Sequence, residues 1–145
     1  MKNLKISIFV MISLFFSSSL FSQDLSVVVN GDAGVTKVSL KDLKDIFKSK
    51  KKLWDNGKKV KIAIIEPTSE LGIKISDTLL GMTPKKIKKF WLALVFQGKA
   101  AAPKYFDNAK DLVSYVNSTN GAIGIVNADG VENGTVLKVD GKQKF

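Results

Sequence analysis

The chain has 145 residues, 23 basic against 13 acidic, a formal net charge of +10, and neither cysteine nor histidine. Those two absences remove thiol catalysis, histidine acid–base chemistry, disulfide staples and the usual His/Cys zinc site. Every basic residue is lysine, so the chain lacks the planar guanidinium fork that grips a phosphate in two places.

Residues 1–22 read as an export signal. Lys2 and Lys5 form a positive start, Ile6 to Phe16 an apolar stretch, and Ser17 to Gln23 a small and polar run. An apolar stretch of about 11 residues falls short of the roughly 20 that a spanning helix needs, so cleavage after Ser22 is expected rather than anchoring. Cleavage removes two lysines and no acid, leaving +8 on residues 23–145. That remainder has the size of one domain. No later segment is apolar and long enough to cross a bilayer, and the expected location is periplasmic or secreted.

Along the remainder, Leu25 to Asn30 is a β-branched apolar run expected to form a buried strand. Residues 30–34 are turn-forming in composition. Ser39 is an expected N-cap with Asp42 at the third helical position, and Leu40, Leu43, Ile46 and Phe47 give that helix its apolar stripe. The lysine run 48–52 leads to Trp54 and a turn at 55–57, then a second strand over Val60 to Ile65. A helix starting at Thr68-Ser69 places Leu71, Ile75 and Leu79 at spacing four before Gly81. Its propensity is low at Gly72, Ile73, Ile75 and Thr78, so packing must hold it. Thr83-Pro84 restarts the chain as cap and first helical residue. Ile87, Phe90, Trp91 and Leu94 then lie opposite Lys85, Lys86, Lys88 and Lys89, and Gly98 ends the helix. Pro103 is assigned to a loop. Asp107 is the expected cap of a further helix with Leu112, Val113 and Val116 inward. Strands over Ala122 to Val126 and Thr135 to Val139 precede a polar tail. This β-α-β-α-α-α-β-β order predicts an α/β fold: a single three-layer lobe with a mixed, mostly parallel sheet flanked by helices. Its strand–helix–strand opening predicts that the first two long strands pair in parallel.

The feature with a ligand mechanism is the junction where the strand ending at Ile65 feeds a helix start at Thr68-Ser69. Free N–H groups at a helix start, with hydroxyls beside them, suit an oxyanion. Open α/β sheets also tend to bind ligands beyond the carboxyl ends of their strands. The competing role of Thr68 or Ser69 is simply to cap its own helix, and that of Glu70 is to stabilise the helix dipole.

The stretch Ser39 to Val60 (SLKDLKDIFKSKKKLWDNGKKV) resembles the corresponding segment of phosphate-type periplasmic substrate-binding proteins. Leu25 to Asn30, the helix Pro84 to Phe96, Gly98-Lys99 and Asn120 to Val126 continue that resemblance over nearly all of residues 23–145. It implies a periplasmic-binding-protein-like fold. Members of that family are two-lobed and hold phosphate between lobes; the resemblance covers one lobe. Their phosphate loop, Arg-x-x-x-Ser-Gly-Thr, falls here on Ile64 to Leu71. Ser69 stands for the family serine, Glu70 and Leu71 replace the glycine and threonine, the arginine is missing, and Glu66 brings a negative charge.

Two functions follow. In one, the domain captures a small oxyanion such as phosphate through Thr68, Ser69 and Glu70, with Lys99 and Lys104 raising the local anion concentration. In the other, it is a non-catalytic interaction module of the cell envelope that has lost the ligand and binds a membrane protein or a second copy of itself. Phe96, Tyr105 and Phe106 are open to either a surface or a core role. No motif points to an enzyme, a metal or another cofactor, and export argues against nucleic acid.

Overall fold

A computed structural model describes residues 24–145; the expected export signal and its cleavage site lie outside the described residues. Strand β1 (Leu25–Val29) is buried along its whole length, its four apolar residues as a central strand requires and Ser26 by donating its hydroxyl to the Gln143 carbonyl at 3.1 Å. A single turn of helix at Gly31–Ala33 and a two-residue strand β2 (Lys37–Val38) lead into α1 (Leu40–Phe47). Ser39 caps α1 by accepting from the Asp42 N–H at 3.0 Å, and Leu43, Ile46 and Phe47 are its buried face.

Strand β3 (Lys61–Ile65) is followed by α2 (Glu70–Ile75), whose last turns widen into a π-helix over Ser76–Leu80 before Gly81 stops the chain at φ 60°. Helix α3 (Pro84–Phe96) begins with Thr83 as cap and proline in its first turn. A three-residue strand β4 (Lys104–Phe106) then precedes α4 (Ala109–Ser118), β5 (Ala122–Asn127) and β6 (Thr135–Val139). The cap of α4 is Asn108, not Asp107: its side chain accepts from the Asp111 N–H at 2.9 Å.

The six strands form one sheet in the order β2-β6-β1-β5-β3-β4. β6 pairs parallel with β2, and β3 pairs parallel with both β4 and β5, whereas β1 is antiparallel to β5 and β6. Five strands therefore run one way and β1 alone opposes them. The expected parallel pairing of β1 with β3 does not occur, because β5 lies between the two. A strand completed near the C-terminus has entered the centre of the sheet.

Both faces of the sheet are covered. Successive residues of a strand point to opposite faces, and β5 shows it. A Cβ on Gly124 would strike Leu112 of α4 at 2.4 Å. Its neighbour Ile125 instead joins Phe47 of α1, Leu79 and Ile87 around a fissure of only about 10 Å³. Helix α4 thus packs on one face and α1, α2 and α3 on the other, with the sheet as the middle layer. The polar C-terminal tail is tied back: Phe145 and Leu25 exchange backbone hydrogen bonds of 2.9 and 3.0 Å.

Candidate functional site

The loop from Glu66 to Ser69 sits at the carboxyl end of β3. Its backbone is held by the Glu66 N–H, which donates to the Phe106 carbonyl of β4 at 2.8 Å, and by the Ser69 N–H, which donates to the Glu66 carbonyl at 3.0 Å. The Ser69 hydroxyl donates to the same carbonyl at 2.7 Å and accepts from the Gly72 N–H at 3.0 Å. A serine hydroxyl has one proton to give. Here that proton closes the turn, and the oxygen caps α2.

Glu66 is engaged as well. Its carboxylate lies 2.6 Å from the Lys88 ammonium of α3 and accepts from the Thr68 hydroxyl at 3.2 Å. The Lys88 hydrogen bond holds the Glu66 carboxyl below the usual carboxylate range against desolvation, the next largest effect, helped by the Lys88 charge and by Thr68. The Tyr105 phenol is pushed up, by burial first and then by the Glu66 charge. Thr68, Thr83, Pro84, Lys85, Lys88, Lys89 and Leu92 line an open depression of about 560 Å³ beside the loop. Glu70 is exposed on the first turn of α2.

The close fit of this loop depends on Gly72. A Cβ there would stand 2.0 Å from the Glu66 carbonyl oxygen and 2.9 Å from the Pro67 Cα. A residue that costs helix propensity is what lets α2 start against the loop.

Lys99 and Lys104 lie elsewhere. Lys104 opens β4 and pairs in register with Ala63, while Lys99 precedes it in the connection from α3. β3 and β4 are parallel, so these lysines mark the amino ends of the strands and Thr68 to Glu70 the carboxyl end. At about 3.3 Å per residue, the register position of Lys104 opposite Ala63 lies roughly 7 Å along the strand before Ile65, where the loop begins. The five candidates therefore form two groups. The Lys104 ammonium stacks over Tyr115, 4.7 Å from the ring centroid, and over Phe106 at 5.5 Å, and the Lys99 carbonyl accepts from the Lys52 ammonium.

Lys88 is the residue that the sequence reading passed over: it lies 22 positions from Glu66, among four lysines of equal standing. Phe96 is exposed at 83%, and Tyr105, partly covered, at 37%. Phe106 packs against Tyr115 with ring centroids 5.2 Å apart.

No protein-family model matches the chain, and no curated protein matches it significantly. Solved structures do. An ABC-type phosphate transport receptor from Vibrio cholerae superposes with a TM-score of 0.62 at 18% identity, over 81% of this chain and 46% of its own. A putative phosphate ABC transporter substrate-binding protein with bound phosphate, from Clostridium perfringens, gives 0.63 at 18% identity, over 82% and 46%. PstS from Borrelia burgdorferi gives 0.65 at 14% identity, over 82% and 48%. The chain spans about half the length of each. Among the described residues no helix is long and apolar enough to cross a membrane. The six-stranded mixed sheet with helices on both faces is thus the fold found in part of these substrate-binding proteins.

Proposed function

We propose that this chain is an exported, non-catalytic binding domain of the substrate-binding-protein fold, acting as an interaction module of the cell envelope. The observation that carries this reading is the state of the β3–α2 loop. The proton of Ser69 is spent on the Glu66 carbonyl, and the Glu66 carboxylate occupies the Lys88 ammonium. An anion arriving at this loop meets a negative charge and a serine hydroxyl with no free donor. Either it displaces an ion pair of 2.6 Å or it stays outside. The partner in this reading is a membrane protein of the envelope; a second copy of the chain is disfavoured by its own net positive charge.

A second reading, capture of a small oxyanion such as phosphate, is favoured by one observation: Lys85, Lys88 and Lys89 surround the depression that the exposed Thr68 also lines. Here Thr68, Ser69 and Glu70 contribute the helix start and the lysines the charge.

Thermal unfolding with and without phosphate, against sulfate and chloride at matched ionic strength, separates the two. A ligand at 100 times its dissociation constant stabilises a fold by about 2.7 kcal/mol. The interaction module predicts no shift beyond the matched salts. A phosphate-specific shift that is lost in Lys88→Met overturns that reading in favour of the second.

A further inference from the structure

A groove of about 750 Å³ lies at the amino ends of β3 and β4, away from the Glu66–Ser69 loop. Its volume falls within the roughly 300–1,000 Å³ typical of small-molecule sites. Leu53, Val60, Ile62, Trp91, Ala100 and Tyr115 supply apolar surface, and six lysines line it: Lys51, Lys52, Lys59, Lys61, Lys99 and Lys104. No aspartate or glutamate does. Lys51 is matched by Asp55 at 3.1 Å, outside the lining, and Lys52 by the Lys99 carbonyl. Lys59, Lys61 and Lys99 form no ion pair among the described residues.

A second observation comes from Trp91. The residue is 2% exposed, lines this groove, and its indole Nε1–H has no acceptor among the described residues. The other tryptophan, Trp54, donates its Nε1–H to the Gly121 carbonyl at 2.9 Å. Unpaired cations on an apolar lining describe the complement of one ligand class, and Trp91, in the wall with its Nε1 closed to solvent, is placed to report on its occupancy.

We propose that this groove binds a small anion with an apolar body, an aromatic or short acyl carboxylate, sulfonate or phosphate. Its charge rests among Lys59, Lys61 and Lys99, its apolar part covers Leu53, Val60 and Ile62, and Trp91 forms part of the wall beside it. Inorganic phosphate has the charge but not the body, and an apolar cation has the body but the wrong charge. The site stands on different residues from those of the proposed function and does not depend on it.

The test is an NMR titration of the ¹⁵N-labelled protein, read at the two tryptophan indole cross-peaks, with 4-phenylbutyrate as probe. The expected result is a saturable shift of the Trp91 peak with little change at Trp54. Inorganic phosphate and 4-phenylbutylamine at the same ionic strength produce no such shift. Lys99→Gln with Lys61→Gln weakens phenylbutyrate binding about tenfold, the loss of two exposed cations from one site. Absence of a saturable Trp91 shift overturns the proposal, as does an equal shift with phenylbutylamine or unchanged affinity in the double variant. Saturable binding of a glutamate-rich peptide where phenylbutyrate gives none also overturns it and assigns the groove to a polypeptide.

Discussion

Replacing Gly72 by alanine tests the packing of the β3–α2 loop, because two physical effects predict opposite signs. In an ordinary helix interior the change gains about 1 kcal/mol from helix propensity. Here the new Cβ would stand 2.0 Å from the Glu66 carbonyl oxygen, 2.7 Å from its carbon and 2.9 Å from the Pro67 Cα. All three are backbone atoms, so no side-chain rotation relieves the clash. Carbon–oxygen contacts settle near 3.3–3.6 Å, so the start of α2 must retreat by more than about 1 Å. That retreat stretches the Ser69 Oγ bonds to the Glu66 carbonyl and the Gly72 N–H, now 2.7 and 3.0 Å. Overpacking costs typically about 1–3 kcal/mol and loss of an N-cap about 1 kcal/mol, which outweighs the propensity gain. The expected net loss is about 1–3 kcal/mol. At roughly 4 °C per kcal/mol for a domain of this size, Tm falls by about 4–12 °C in a circular-dichroism melt. An unchanged or raised Tm refutes the reasoning: Gly72 would then be a weak helix former and nothing more.

Three further outcomes follow from the same structure. The folded-state pKa of Glu66 is depressed by Lys88, so its contribution to stability is present above the ordinary glutamate value of about 4.3 and is lost as pH falls through the lower folded value. Glu66→Gln should therefore flatten the fall of Tm with pH below about 4.5; acid limbs of equal slope in the two proteins would show that the ion pair adds nothing. Leu112 is fully buried against Gly124, so Leu112→Ala should cost about 2–5 kcal/mol. Gly124→Ala, which strikes Leu112 Cδ2 at 2.4 Å, should then cost less in the Leu112→Ala background than alone. Additive losses in urea denaturation would refute direct contact between the two positions.

Local chemistry was legible in the chain itself. Ser39 and Thr83-Pro84 announce helix starts because their side chains or rings satisfy or remove free N–H groups in the first turn. Gly81 and Gly98 announce ends because both adopt positive φ. The runs at 25–29 and 122–126 became fully buried strands and 61–65 one buried from Ala63 onward, as their β-branched apolar residues predict. The α/β architecture and its helix-covered sheet followed from that order of elements, and the resemblance to phosphate-type binding proteins was carried by the residues of Ser39 to Val60 and the segments that continue it.

Where a strand sits in the sheet is set by partners distant in sequence, and only the tertiary structure decided it. β5 separates β1 from β3 because a central position buries its whole apolar run; no local pattern in residues 25–65 records a strand that arrives at 122. Lys104 to Phe106 form a strand only because β3 offers a free edge; three residues carry too little periodicity to be read as one. The candidate site divided for the same reason. Residues 68–70 and 99–104 belong to opposite ends of two parallel strands, a relation of direction that composition cannot express. The Glu66–Lys88 pair and the unpartnered Trp91 N–H are facts of juxtaposition: each residue alone is a common surface acid, a common lysine or a common core aromatic, and only folding sets what stands beside it.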